Sequence, residues 1–418
     1  MRTSLILSAL AFVVPALSAP TVVPITKHAG PVKANSYIVK LKDDASKSAI
    51  LDLLKAVLKL TGSLITYDAC DPDQFNGFTS ILKGDALAFV QRMQGVEYIE
   101  QDGIVSLVEH EVTGLDHSPH VAGGHHGAVL GRTDDSGGKG VIVYGIDTGI
   151  YIEHSCFGGR ASFGASFVDI SDGKSDMNGH GTRRHGWYGS LQGIWYCHQS
   201  QRNCSQRQVI RVGLYLIYSI EGRNFLVLDG SGSGSTSGVI AGVCWAFDHF
   251  KKHGKQPSVA TMSLGGAPSP ALNGAVEKAI KGGLHFTVAA GNNDMSAETS
   301  SPANVEVANT IGAVDEKDRK ASFSNYGKLI DVWAPGVNIT SAWIGSPDAK
   351  NTISGTSMAT PYVAGILAVA LSEYGQMSPA KLSTQLKENG KEIVTFDLES
   401  PTGLVAQTTS THTLARKW

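Results

Sequence analysis

Two patterns of apolar and polar residues follow one another in the first quarter of the chain. The stretch from Asn35, NSYIVKLKDDASKSAILDLLKAVLKL, alternates like a strand and then repeats its apolar residues at helical spacing. The stretch from Phe75, FNGFTSILKGDALAFVQRMQGVEYIEQDGIVSL, is typical of strand, helix and strand. These patterns predict a small α+β unit over residues 34–107.

A boundary segment follows this unit. Residues 108–140 are rich in glycine and histidine and have no apolar period, which is typical of a linker. We expect proteolytic maturation between about His110 and Asp116, because cleavage concentrates in exposed aperiodic segments. Adventitious metal binding is the alternative to a solvated loop for four histidines: His117, His120, His125 and His126.

Beyond residue 140 the pattern changes to longer apolar runs. VIVYGIDTG, SVATMSLGG, LHFTVAAGNN and NTIGAVD are apolar on both faces, and helical segments such as SGVIAGVCWAFDHFKKHG and NGAVEKAIKGG lie between them. Strands of this kind predict a parallel sheet that helices cover on both faces. The predicted fold class is therefore α/β over residues 141–418, with catalytic groups at the carboxyl ends of the strands.

The composition fits a globular protein and gives no sign of charge-driven partners. Apolar residues make up 42% of the chain and charged residues 17%, which favours a packed core over disorder. The formal net charge of −2 gives no electrostatic reason to expect nucleic acid or an anionic membrane as partner. We predict neither, and we expect a monomer.

The N-terminus is typical of a secretory signal peptide over residues 1–19. Arg2 precedes an apolar run over residues 5–14, and cleavage is expected after Ser18 or Ala19. A membrane anchor is the alternative, but the run is shorter than the roughly 20 apolar residues that a span needs. We therefore expect a secreted, extracellular protein.

Cysteines and sequons are compatible with that route. The odd count of five cysteines and the lack of CxxC spacing argue against a disulfide framework or a zinc site, and leave at least one thiol over. Two N-glycosylation sequons begin at Asn203 and Asn338. Both asparagines are candidate glycosylation sites.

Three motifs carry candidate catalytic residues. VIVYGIDTG ends a predicted buried strand at Asp147, whose carboxylate needs hydrogen bonds there, for example from Thr148 or a histidine. NGHGT places His180 between glycines at a predicted helix start, and SGTSMATPYVAG places Ser357 in a helical turn of small residues. Singly, Asp147 also fits a loop cap and Ser357 a helix cap. Together they give the chain order of the subtilisin triad.

With these motifs the chain resembles the fungal secreted subtilisin-like serine proteases of the proteinase K group. GIDTG, NGHGT, MSLGG, VAAGNN, FSNYG and SGTSMATPYVAG resemble family motifs from about Lys139 to Gly375. The unit at residues 34–107 resembles the inhibitor-like propeptide of these zymogens. Its end, VEYIEQDGIVSL, is similar to the tail that such propeptides leave in the substrate cleft.

The resemblance implies a role for each matching residue. Ser357 would attack the scissile carbonyl, His180 would accept and return the proton, and Asp147 would orient the imidazole. Asn292 would donate to the oxyanion together with the backbone N–H of Ser357, and Asn293 is the alternative to Asn292. The implied reaction is peptide-bond hydrolysis through an acyl-enzyme, for which no cofactor is required.

The resemblance also implies a cleft that binds protein and peptide substrates as an extended strand. Backbone hydrogen bonds would hold the substrate, so specificity should be broad, and the uncharged primary pocket should prefer aromatic or aliphatic side chains. A plain flexible loop is the alternative for the glycine-rich wall. The expected lining residues are Gly232, Ser233, Gly234, Ser263, Leu264, Gly265, Ala289, Ala290 and Gly291.

Two further expectations come from the resemblance alone. Asp331, in YGKLIDVWAPG, matches a calcium-ligand position of proteinase K relatives, so a structural calcium is expected there. The chain's own propeptide is the expected inhibitor.

Residues 183–225 depart from the family pattern. Arg183, Arg184 and Trp187 stand where small apolar residues are expected, and burying unpaired arginines is costly. Read one nucleotide later, the codons from Trp187 to Cys197 can spell GTVASKAYGIA, which is close to the family's sequence. We therefore expect a frameshift or a mistaken splice, with a real insertion as the alternative.

Two functions from different classes remain. The first is an active secreted endopeptidase that is made as a zymogen. The second is a catalytically inactive protease fold that acts by binding or inhibition, because the segment after His180 is disrupted. Labelling by a fluorophosphonate distinguishes them, since it needs a nucleophilic Ser357 and a working histidine.

Overall fold

The computed structural model describes residues 22–68, 70–108, 138–168, 175–182 and 221–418, with the backbone alone for 221–225. Outside the described residues lie the predicted signal peptide, the linker from residue 109 to residue 137, and residues 183–220, which include Asn203. Within the described ranges, no helix has both the length and the apolar character needed to cross a membrane.

The N-terminal unit is an α+β fold, as its pattern predicts. Its strands run in the order β1-β5-β2-β4-β3, and all neighbours are antiparallel except β1 and β5. The elements are β1 (Ile25–Thr26), β2 (Val32–Leu41), α1 (Lys47–Thr61), β3 (Leu64–Tyr67), α2 (Pro72–Phe75), β4 (Gly77–Ile81), α3 (Asp85–Val90) and β5 (Val96–Leu107).

This unit begins before residue 34, where its pattern was expected to start. Ile25 in β1 pairs with Ile99 in β5, and the backbone N–H of Val23 donates to the carbonyl of Gln91 at 2.8 Å. The segment was missed because a strand of two residues is too short to show an alternation.

The C-terminal body is built on a nine-stranded sheet, in the order β17-β18-β14-β13-β12-β10-β6-β8-β7. All neighbours are parallel except β17 and β18, which confirms the predicted parallel sheet. Its strands are β6 (Ile142–Asp147), β7 (Ala161–Ser166), β8 (Glu221–Leu226), β10 (Ser258–Met262), β12 (His285–Ala289), β13 (Asn309–Val314), β14 (Val332–Pro335), β17 (Lys391–Glu392) and β18 (Thr413–Leu414).

Short strands and further helices complete the described part of this body. The strands outside the main sheet are β9 (Ser233–Ser235), β11 (Leu264–Gly265), β15 (Ile339–Ala342) and β16 (Lys350–Ile353). The helices are α4 (Thr236–Lys252), α5 (Pro270–Lys281), α6 (Thr356–Tyr374), α7 (Pro379–Glu388) and α8 (Pro401–Thr409).

Strand β6 shows why this sheet is apolar on both faces. Tyr144 and Ile146 pack into the core formed with α4 and α5, whereas Val143 packs into the core formed with α6. Successive side chains point to opposite faces of a strand, so a strand covered on both faces must be apolar at every position. The carboxyl end of β6, where Asp147 lies, is thereby fixed between two packed layers.

Strand β8 lies between β6 and β7, and its first five residues belong to the segment that departs from the family pattern. Glu221 pairs with Ile142 and Leu226 pairs with Asp147 in a parallel register. The backbone at 221–225 therefore completes the sheet beside the strand that carries Asp147.

Candidate active site

Asp147 and His180 form a fully buried pair. Oδ1 of Asp147 accepts a hydrogen bond from Nδ1 of His180 at 2.8 Å and another from the backbone N–H of Thr148 at 2.7 Å. The two donors predicted for this carboxylate, Thr148 and a histidine, are both present. The carboxylate fixes the orientation of the imidazole, and its own hydrogen bonds offset the cost of its burial.

Asp176 organises the loop on both sides of the histidine. Its Oδ1 accepts from the backbone N–H of Gly179 at 2.7 Å, and its Oδ2 accepts from the backbone N–H and the hydroxyl of Thr182 at 2.7 and 2.6 Å. Burial raises the pKa of Asp176. Asp176 could not be found from the sequence because its partners are backbone amides and hydroxyls, which leave no periodic signal.

The glycine after the histidine has a steric reason. A Cβ at Gly181 would lie 2.1 Å from the carbonyl oxygen of Gly149. Only glycine permits this approach of two backbones, which brings the histidine loop against the end of β6.

Ser357 and Asn292 meet at one carbonyl oxygen, that of Val108. The hydroxyl of Ser357 lies 2.5 Å from this oxygen, and Nδ2 of Asn292 donates to it at 2.7 Å. The serine hydroxyl also lies 3.1 Å from the carbonyl oxygen of Ser263. Val108 immediately follows β5, so the end of the N-terminal unit lies against the candidate nucleophile.

Asn292, and not Asn293, faces this carbonyl. Oδ1 of Asn292 accepts from the backbone N–H and the hydroxyl of Thr356 at 2.9 and 2.8 Å, which turns the amide nitrogen towards Val108. Asn293 is exposed, and its backbone N–H donates to Asn325 at 3.0 Å. The sequence analysis assigned no role to Thr356 or Asn325, although both lie within quoted motifs.

Strand β5 lies between the two segments that were expected to wall the cleft. Val105 pairs with Gly234 in β9, and Leu107 pairs with Leu264 in β11, both antiparallel. The backbone N–H of Leu107 donates to the carbonyl of Gly232 at 2.9 Å. The cleft therefore binds an extended chain by backbone pairing on both edges.

The expected pocket residues follow the ends of β10 and β12. Gly265 faces Val108, since a Cβ at Gly265 would lie 3.5 Å from a methyl group of the valine. Ala289 and Ala290 are buried, and Gly291 has a φ of +112° against the side chain of Asn325. A primary pocket lined by these residues stays a prediction.

The two halves of the site lie at one edge of the sheet. Strands β6 and β10 are parallel neighbours in which Ile146 pairs with Met262. Asp147 and Ser263 are the next residues along each strand. The hydroxyl of Ser263 donates to the carbonyl of Ser357, and the carbonyl of Ser263 accepts from the hydroxyl of Ser357. The carboxyl ends of parallel strands are where such sites form.

Two carboxylates of β5 cap helices of the C-terminal body. Asp102 is fully buried and accepts from the backbone N–H and hydroxyl of Ser237 at 2.9 and 2.7 Å, at the start of α4. Oε2 of Glu100 accepts from the backbone N–H of Ala271 at 3.1 Å, at the start of α5. The first backbone N–H groups of a helix have no partner within the helix, so the hydrogen bonds that these two side chains accept fix β5 on the body.

The carboxylate of Asp331, the expected calcium ligand, has two partners in this structure, and calcium binding there stays a prediction. Its Oδ1 lies 3.0 Å from the ammonium group of Lys387, and its Oδ2 accepts from the backbone N–H of Thr310 at 2.8 Å. Burial raises the pKa of this carboxyl. In the described part of the chain, no three His, Cys, Asp or Glu side chains form a group suited to a metal ion.

The second predicted glycosylation site is accessible. Asn338 is exposed, and its backbone N–H donates to the hydroxyl of Ser354 at 2.9 Å. Glycosylation at Asn338 stays a prediction.

Comparison with known proteins agrees with this architecture. The family described as Subtilase family matches residues 138–398. Subtilisin-like protease 2 of Pseudogymnoascus destructans is 43% identical over 74% of this chain and 72% of its own length. The cuticle-degrading protease of Metarhizium anisopliae is 34% identical over 90% of both chains.

A solved structure gives the same result for the fold. The crystal structure of a cold adapted subtilisin-like serine proteinase is 37% identical, has a TM-score of 0.55, and covers 67% of this chain and 90% of its own. The chain therefore belongs to the subtilase family, the subtilisin-like serine endopeptidases.

Proposed function

We propose that the chain is made as a secreted zymogen whose mature form hydrolyses peptide bonds with a Ser357, His180 and Asp147 triad. The carbonyl of Val108 carries this proposal, because it lies where a scissile carbonyl would lie. A serine hydroxyl is 2.5 Å from its oxygen, and an asparagine amide donates to the same oxygen at 2.7 Å. These contacts support Ser357 as the nucleophile and Asn292 as the oxyanion donor.

In the proposed mechanism, His180 takes the proton of Ser357 as the serine attacks, and returns it to the leaving amine. Asp147 holds the imidazole through Nδ1 and stabilises its charged form. Asn292 stabilises the negative charge on the carbonyl oxygen. The backbone N–H of Ser357 is the proposed second donor.

Substrate specificity is proposed to be broad, with aromatic or aliphatic side chains preferred in the primary pocket. Support comes from β5, which is held through backbone pairs with β9 and β11. Such bonds do not read side chains, and Val108 is the apolar residue that follows.

The N-terminal unit is proposed to be the inhibitor of its own catalytic body. Its strand β5 fills the cleft, and Asp102 and Glu100 hold that strand at two helix N-termini. A substrate needs the same edges of β9 and β11, so it competes with β5.

A fluorophosphonate probe and casein hydrolysis test the catalytic assignment. Matured protein should be labelled at Ser357, and labelling should be lost in Ser357→Ala and His180→Ala. Asn292→Ala should lower kcat by about 100- to 1000-fold while labelling persists at a reduced rate. Samples are assayed with and without a small dithiol, because a disulfide bond joins Cys70 of the N-terminal unit to Cys244 of the catalytic body. Matured, folded protein that is neither labelled nor active under both conditions would instead support the inactive, binding function.

A further inference from the structure

A disulfide bond joins the two parts of the molecule. Cys70 lies in the N-terminal unit, just before α2, and Cys244 lies in the middle of α4 in the catalytic body. The two residues are 174 positions apart, and their Cα atoms are 5.4 Å apart. The odd cysteine count and the lack of CxxC spacing argued against a disulfide framework, and this bond corrects that expectation. Pairs at such a separation leave no spacing motif.

The cross-link lies inside the interface. Cys70 and Cys244 are 4% and 2% exposed, and both belong to one apolar core with Phe75 and Ile38 of the N-terminal unit and Val243 of α4. A core shared by both parts excludes solvent from the sulfur atoms. A reductant therefore reaches the bond only when the two parts separate transiently.

Polar contacts on either side hold the two cysteines in register. Nε2 of Gln74 donates to the carbonyl of Val243 at 3.3 Å, and Nζ of Lys251 lies 2.5 Å from the carboxylate of Asp71. Nζ of Lys47 donates to the carbonyl of Cys70 at 2.8 Å. Docking thus brings the thiols together independently of the bond between them.

Cys156 behaves differently. It is the free cysteine among those described, and burial raises the pKa of its thiol to about 12. It lies away from the interface, on the 3-10 turn Ser155–Phe157. Cys156 is therefore a matched control for the pair.

We propose that the Cys70–Cys244 disulfide keeps the N-terminal unit covalently bound to the catalytic body after the peptide chain between them is cut. Hydrolysis after Val108 adds one water and leaves a carboxyl and an amine, but it does not touch the sulfur bridge. The product is a two-chain molecule in which β5 cannot diffuse out of the cleft. The inactivity of this two-chain molecule rests on the proposed peptidase function, whereas the existence of the disulfide does not depend on that function.

The electron balance of the bridge is that of thiol–disulfide exchange. A disulfide of a secretory-pathway exchange protein accepts two electrons, and the two cysteine thiols lose two protons as the bridge forms. A dithiol reverses the step, because it becomes a cyclic disulfide and returns two thiols. Release of the N-terminal unit therefore requires cutting of the chain and reduction together.

Peptide mapping tests the bridge without any need for activity. Secreted Ser357→Ala protein is denatured in an alkylating reagent without reductant, digested and analysed by mass spectrometry. We expect Cys70 and Cys244 in one linked pair of peptides that a dithiol separates, and Cys156 alkylated. The same pair is expected in Cys156→Ala. Alkylated Cys70 or Cys244, or a bond from either to another cysteine, would overturn the proposal.

Denaturing electrophoresis tests whether the bridge retains the N-terminal unit on the catalytic body after the chain is cut. Native Ser357→Ala protein is cut by a trace of added protease, and N-terminal sequencing selects cuts within residues 109–137. The fragments should migrate as one species without reductant and as two with it, whereas a Cys70→Ala, Cys244→Ala double variant should give two in both cases. If the cut Ser357→Ala protein with both cysteines gave separate fragments without reductant, covalent retention of the N-terminal unit would be refuted.

Casein hydrolysis by the self-processed chain tests whether the retained N-terminal unit keeps the enzyme inactive. Adding a dithiol should raise casein hydrolysis by at least ~100-fold, the lower end of the gain that tethering of two binding parts confers. The double variant should need no dithiol. A peptidase that is fully active with the bridge intact would overturn the latency, while a chain without activity in any state would contradict the proposed function and leave the mapped bridge standing.

Discussion

The hydroxyl of Thr356 donates to Oδ1 of Asn292 at 2.8 Å, and the backbone N–H of the same threonine donates to that oxygen at 2.9 Å. An amide held at its oxygen by two donors presents its nitrogen in one direction, because a flip would break both bonds. That direction is the carbonyl of Val108. The first residue of α6 therefore aims the proposed oxyanion donor, and the next residue is the proposed nucleophile.

Thr356→Val should lower kcat more than it changes KM. The variant loses one of the two bonds that orient Asn292, and we expect a fall of ~10-fold, smaller than the loss on removing an oxyanion donor. Thr356→Ser keeps the hydroxyl and is the matched control. Steady-state kinetics on a peptide substrate measure both, and equal rates for the valine and serine variants would contradict an orienting role.

The position of Val108 predicts where the zymogen is cut. The carbonyl held by Asn292 and Ser357 belongs to the Val108–Glu109 bond, so the mature chain should begin at Glu109. This bond lies just before the range from His110 to Asp116 that was expected from the sequence. N-terminal sequencing of secreted protein decides between the two positions.

A pair of substitutions sharpens this test. Val108→Asp places a charge against the uncharged cleft and should block self-cleavage, because a desolvated carboxylate is costly there. Val112→Asp makes the same change within the range expected from the sequence and should leave cleavage unaffected. Normal processing of the first variant and blocked processing of the second would favour the later site.

Glu100 predicts a pH dependence of stability. Burial raises the pKa of this carboxyl above its ordinary value of 4.5, and the hydrogen bond with Ser269 offsets part of the shift. A raised native pKa means that its contribution to stability is present below the ordinary pKa and is lost as pH rises through the raised value. The free energy of unfolding of Ser357→Ala protein should fall over that range.

Glu100→Gln should flatten this part of the pH profile, because the amide keeps an acceptor for Ala271 and does not titrate. Urea unfolding at a series of pH values measures the slope. Glu97→Gln on the same strand is the control, since Glu97 is exposed. A slope that is unchanged in Glu100→Gln would show that Glu100 is not its source.

The segment after His180 carries a prediction about the gene. Asp147 holds Nδ1 of His180 at 2.8 Å, but in the chain as written the bulky residues after the histidine should weaken this support, and a displacement of about 1 Å can cost roughly 100-fold in rate. Replacing residues 183–225 with the frame-shifted, family-like sequence should therefore raise casein hydrolysis, which His180→Ala should abolish again. A transcript that encodes Arg183-Arg184-His185 unchanged, with full activity, would disprove the frameshift.

The sequence predicted the sheet and the motif residues because their signals are local. Apolar β-branched runs identify buried strands at any position, and the fixed neighbours of Asp147, His180 and Ser357 identify the motifs. The hydrogen bonds expected at Asp147 are present, and β5 pairs with the two segments that were expected to wall the cleft.

Contacts between distant residues were not predictable in the same way. Asp176 acts through loop amides, Asn325 holds the loop after Ala290, and Cys70 meets Cys244 across an interface. None of these contacts has a periodic or spacing signal. The calcium expected at Asp331 came from motif resemblance, which does not reveal that Lys387 reaches the same carboxylate.

Strand β5 is one continuous strand of 12 residues that pairs with β2 in the N-terminal unit and with β9 and β11 in the cleft. Its first part is held straight by β2, so the part that enters the cleft is already extended before it meets β9 and β11. A free peptide of the same sequence would lose about 1–2 kcal/mol of backbone entropy for each residue that it orders. The sequence IVSLV should therefore be a weak ligand and a digestible one in solution, and it becomes an inhibitor only through the rigidity of the unit that carries it.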